Sequence, residues 1–68
     1  DLQCSDTLSA NGTADIKRNA DIGGDVKANI SIKVGGTLTF PATRTLSAPT
    51  RNIAQTVRAA VNVAAPCD

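Results

Sequence analysis

Few side chains in this sequence are suited to chemistry. His, Trp, Tyr and Met are absent, and Phe40 is the single aromatic. General-base catalysis therefore lacks its commonest group. A thiol nucleophile would have to come from Cys4 or Cys67, which stand near opposite ends of the 68 residues. An even cysteine count in so short a chain, with so small a core, favours a disulfide between the two. The chain-entropy model gives such a closure roughly 4 kcal/mol, and it would withdraw both thiols from catalysis and metal binding. Asp15, Asp21 and Asp25 remain as carboxylates, but an acid–base pair needs a cleft that a single sheet layer does not form. Asp21, Gly23 and Asp25 could offer oxygens to a calcium ion, although the full calcium-loop pattern is missing. Gly23-Gly24 and Gly35-Gly36 lack the setting of a phosphate loop and read as turns. These residues point to a non-catalytic protein with no cofactor and no metal.

Surface features carry more. Asp1, Asp6, Asp15, Asp21 and Asp25 all precede residue 26. From Val26 to Cys67 the only charges are Lys27, Lys33, Arg44, Arg51 and Arg58. Arg44, Arg51 and Arg58 are thus candidate interaction residues on a weakly basic C-terminal half. Nucleic-acid binding would want denser charge and stacking aromatics and is not expected. Asn11-Gly12-Thr13 and Asn29-Ile30-Ser31 match the N-glycosylation acceptor pattern, which makes Asn11 and Asn29 candidate modification sites. No apolar run approaches the length of a transmembrane helix. A membrane role would require the strands to open into an oligomeric barrel with the apolar face toward lipid. The start at Asp1-Leu2-Gln3 and the disulfide together read as an exported, processed chain in an oxidising compartment.

The elements that must position these residues follow from one pattern. From Leu2 to Ala48 the even positions are apolar or Gly, except Asp6, Arg18 and Arg44. The odd positions are polar, Gly or Pro. Strand side chains alternate between faces, so this describes a sheet with one dry and one wet side. One-sided burial favours antiparallel pairing. Asn11-Gly12, Gly23-Gly24 and Gly35-Gly36 then read as hairpin turns, and the unbroken phase selects odd-length loops. Strands are expected at about 3–10, 14–22, 26–34 and 38–46. After Ala48, Ile53, Val57, Ala60, Val61 and Ala64 recur at helical spacing, predicting a helix over 49–65 lying across the dry face. The expected architecture is α+β, a single ββββα domain with Ile30 and Ile32 in its core. Asp6, Arg18 and Arg44 are expected at strand ends or bulges. The recurrence of Thr7-Leu8-Ser9-Ala10 as Thr45-Leu46-Ser47-Ala48 is too short to establish a duplication.

The expected function is a small secreted interaction or structural module, acting through sheet edges or the Arg51/Arg58 helix face on itself or another protein. Two alternatives share this build: a toxin, effector or antimicrobial acting on a cell surface, and a protease inhibitor or small-ligand carrier. The Thr-rich stretch Thr37, Thr39, Thr43 and Thr45 could also template a flat ligand surface.

Overall fold

The alternation of apolar and polar residues is kept in the structure, but the strands that carry it stack in parallel. The computed structural model describes residues 1–63. The strands are β1 (Leu2–Cys4), β2 (Leu8–Ala10), β3 (Thr13–Ile16), β4 (Ala20–Ile22), β5 (Val26–Ala28), β6 (Ser31–Phe40), β7 (Leu46–Ser47) and β8 (Thr50–Arg58). Every pairing among them is parallel. Leu2 lies beside Ala20 and Ala20 beside Leu38, while Leu8 lies beside Val26 and Val26 beside Leu46. The chain therefore winds in coils of about 18 residues, the separation spanned by the intercoil hydrogen bonds of Asp1 and Asn19. Each coil has three sides. The first stacks β1, β4 and the C-terminal halves of β6 and β8; the second stacks β2, β5 and β7; the third stacks β3 and the N-terminal halves of β6 and β8. This is a parallel β-solenoid.

Alternation dictates the interior of such a coil as strictly as it dictates one face of a flat sheet. Among the described residues every buried apolar residue is at an even position: Cys4, Ala14, Ile16, Ala20, Ile22, Val26, Ala28, Ile32, Val34, Leu38 and Phe40. The coil closes around these side chains, so no helix is needed to cover them. The face that a lipid-facing barrel would turn outward is here the packed interior.

The antiparallel meander is thus overturned, and the glycines show why. None has a positive φ, whereas the tight hairpin turns favoured by Asn-Gly and Gly-Gly require one. Gly35 and Gly36 lie within β6 and bend it from the third side to the first without reversing it. They are glycines because coils stack closely at this corner. A Cβ on Gly36 would stand 2.9 Å from the Arg18 carbonyl oxygen, and one on Gly24 would stand 2.6 Å from the Thr7 nitrogen.

The predicted helix over 49–65 is also overturned: among the described residues there is none. β8 occupies Thr50–Arg58, and residues 59–63 form no strand. Ile53 and Val57 suggested helical spacing, but a register shift opposite Val34 to Thr37 changes the phase within the strand. Ile53 therefore stacks on Val34 and Thr56 on Leu38. β-branched Thr50, Ile53, Thr56 and Val57 suit a strand, and the free edge of β6 supplies a partner. The rest of the predicted helix lies outside the described residues. So does Cys67, half of the expected disulfide. Cys4, wholly buried in the first coil, is the only cysteine among the described residues, which therefore contain no disulfide of their own.

Two smaller expectations divide. Asp6, Arg18 and Arg44 are exposed in corners between strands, as expected for charges at even positions. Ile30, expected in the core, is instead 61% exposed, because it sits in the bend that precedes β6. The Thr7–Ala10 echo also acquires a structural meaning: Leu8 and Leu46 occupy the same place on the second side, with Val26 between them.

Candidate functional site: the outer strands of the coil

A parallel ladder leaves a defined set of backbone groups unpaired at its last strand. Residues on such a strand alternate, one bonding inward to the neighbouring strand and the next presenting its N–H and C=O to the other side. On β1, Leu2 N–H donates to Asn19 O at 3.0 Å and Cys4 O accepts from Gly23 N–H at 2.7 Å. Gln3, between them, faces away from the stack. On β2, Leu8 N–H donates to Asp25 O at 2.9 Å and Ala10 O accepts from Asn29 N–H at 3.1 Å, so Ser9 faces away. At the opposite end Val26 N–H donates to Thr45 O at 2.9 Å, which turns Leu46 outward. Among the described residues β1, β2 and β3 pair on one side only, as do β7 and β8.

The two ends differ in what surrounds these edges. The first coil has Leu2, Leu8 and Ala10 partly buried against the core, and the last has Leu46, Ala48 and Ile53. The last coil is also capped by polar residues. Arg51 lies in register with Ile32, Thr56 with Leu38 and Arg58 with Phe40, where a further core layer would continue. The Arg58 guanidinium carbon lies 4.8 Å from the centre of the Phe40 ring, a cation–π contact that helps close this end. Charge is polarised along the coil. The first coil carries Asp1, Asp6 and Asp15 against Lys17 and Arg18, whereas 37–58 carries Arg44, Arg51 and Arg58 and no acid.

Intercoil hydrogen bonds fix the corners. Asn19 N–H donates to Asp1 Oδ1 at 3.4 Å, and Thr37 N–H donates to Asn19 Oδ1 at 3.0 Å. The same corner position thus ties each coil to the next. Asp25 Oδ1 accepts from Thr45 N–H at 3.0 Å. The Thr13 and Ser31 hydroxyls meet at 2.9 Å across two coils.

The sequence-predicted sites distribute as follows. Arg44, Arg51 and Arg58 are all exposed and gathered into the last coil, but Arg51 and Arg58 lie on a strand and not on a helix face. Asn11 and Asn29 are both exposed, in successive coils at one corner. Asp15 and Asp21 lie on outer faces, while Asp25 works as a corner acceptor. No group of three or more His, Cys, Asp or Glu able to hold a metal occurs among the described residues. Thr37 and Thr39 do not extend into an array, since Asn19 and Asp21 occupy their places one coil earlier. Gln3 and Ser9 fall in the first expected strand and Leu46 in the last, the two edges of the expected meander, but which residues of those strands face outward depends on the register of the stack.

Comparison with protein-family models, with curated proteins and with solved structures finds no match.

Proposed function

We propose that this chain is a non-catalytic interaction module that binds an extended protein strand along the outer edge of β1 and β2. The observation that supports this most is the pair of outward-facing residues Gln3 and Ser9 on short strands that, among the described residues, pair on one side only. Main-chain groups so placed give a partner strand its affinity, and the half-buried Leu2, Leu8 and Ala10 beside them give alternate side chains a surface to pack on. The short edge strands carry no lysine or proline of the kind that blunts an edge. The test is selection of binders from a random peptide library, followed by amide hydrogen exchange. Selected peptides should slow exchange at Gln3 and Ser9, and Ser9→Pro should abolish capture, because proline removes the outward N–H without touching a β2–β5 bond. Capture that survives Ser9→Pro, or protection confined to other residues, would contradict the reading.

A further inference from the structure

We infer that Asn11 is a modification site, where the side-chain amide is lost to water and the isoaspartate left behind loosens the corner between β2 and β3. Asparagine is among the chemically labile side chains, and its loss requires the following backbone nitrogen to reach the side-chain carbonyl carbon. Of the five asparagines among the described residues, the structure sets one apart. Asn19 precedes the wholly buried Ala20 of β4, and its Oδ1 accepts from Thr37 N–H at 3.0 Å. Asn29 precedes Ile30, whose N–H is donated to Gly12 O at 3.0 Å and whose branched side chain crowds the approach. Asn52 is paired with Lys33 inside β8 and precedes the branched Ile53. Asn62 precedes the branched Val63. Asn11 is exposed, belongs to no strand and precedes a glycine. The space beside Gly12 is open, the nearest atom to an added Cβ being Ile30 Cδ1 at 3.9 Å. Glycine also leaves this peptide the greatest rotational freedom.

In the first step the Gly12 nitrogen bonds to Asn11 Cγ, the Cγ–Nδ2 bond breaks, and ammonia leaves with the Gly12 N–H proton. Water then opens the cyclic imide, and nothing is oxidised or reduced. Where water adds to the former main-chain carbonyl, that group becomes a carboxylate and the chain runs on through Cβ and Cγ. The main chain is then one carbon longer between Ala10 and Gly12. Both of these neighbours are anchored. Ala10 O accepts from Asn29 N–H at 3.1 Å and Gly12 O from Ile30 N–H at 3.0 Å. The two donors are consecutive residues of the second coil, which fixes the spacing of their acceptors. An inserted carbon therefore breaks one of the two bonds. Opening at Cγ gives ordinary aspartate, which leaves the chain path and both bonds as they were.

The experiment is incubation of the whole chain at neutral pH and physiological temperature, followed by peptide mapping and enzymatic methylation of isoaspartate. Isoaspartate should accumulate at residue 11 while Asn19, Asn29, Asn52 and Asn62 remain intact. Gly12→Ala should accumulate less, because the added methyl crowds the attacking nitrogen. The isoaspartyl fraction, separated from the parent by its added negative charge, should melt lower. Its Tm should fall by about 4–8 °C, as for one lost hydrogen bond in a domain of this size. Asn11→Asp, the other product of the same reaction, should melt with the parent. Residue 11 left unchanged, another asparagine converted as fast, or a Gly12→Ala variant that reacts as fast as the parent would overturn the inference. So would an isoaspartyl fraction that melts with the parent, or an Asn11→Asp variant that melts as low as that fraction.

Discussion

Replacing two glycines by alanine separates a stacked coil from a hairpin sheet in a single thermal melt. Gly12 follows Asn11 and would lie in the tight turn of a hairpin, where a positive φ makes alanine costly. In the coil its φ is not positive, and the nearest atom to an added Cβ is Ile30 Cδ1 at 3.9 Å, an ordinary contact. Gly12→Ala should therefore be neutral, or stabilising by about 0.4–1 kcal/mol through the lost entropy of the unfolded chain. Gly35 is the opposite case. An added Cβ would stand 3.1 Å from the Lys17 carbonyl carbon and closer still to its oxygen. Both obstacles are backbone, so neither can rotate aside. Separating them strains the adjoining Gly36 N–H to Arg18 O bond, now 2.9 Å long. Overpacking of about 1–3 kcal/mol and a weakened hydrogen bond of about 1 kcal/mol give roughly 2–4 kcal/mol in all. At about 4–8 °C per kcal/mol for a domain of this size, Tm should fall by roughly 8–32 °C. A Gly12→Ala variant that loses as much as Gly35→Ala would refute the coil.

Further outcomes follow from the same structure. Ile32 is wholly buried and Ile30 is 61% exposed, so Ile32→Ala should cost about 2–5 kcal/mol and Ile30→Ala within about 0.5 kcal/mol by urea titration. Asn19→Ala removes the acceptor for Thr37 N–H and should cost about 0.5–1.5 kcal/mol, whereas Asn19→Asp keeps an acceptor and should cost less in the same titration. Arg58→Ala removes the guanidinium from the Phe40 ring. It should lower stability by about 0.5–1 kcal/mol, with a change in the near-ultraviolet signal of Phe40, the only aromatic.

What was legible in the sequence was the interior, and what was not was the path of the chain. The even-position rule identified the buried residues from Cys4 to Phe40 correctly, with Ile30 as its chief failure. The same rule hid the coil. When nearly every even position is apolar or Gly, almost any even offset superimposes apolar on apolar, so a repeat of 18 residues stands out no better than its neighbours. Parallel coils and antiparallel hairpins then bury the same side chains. The distinguishing information lay in glycines that could mean either a positive φ or a lack of space. It lay also in the return of Leu8 as Leu46, at a separation altered by the longer corner from Pro41 to Thr45. The helix was misread for a related reason, since one register shift within β8 gave Ile53 and Val57 a spacing that a helix also produces. At the candidate site, the exposure of Arg44, Arg51 and Arg58 was readable from their charge. Their gathering at one end depended on the winding and was not.

The parallel winding is tested most directly by nuclear Overhauser contacts between backbone protons of neighbouring strands. The coil predicts contacts between Ala14 and Ile32, between Ala20 and Leu38, and between Val26 and Leu46. Contacts between Val34 and Leu38 and between Ile32 and Phe40, the pairs that a Gly35-Gly36 hairpin brings together, would contradict it.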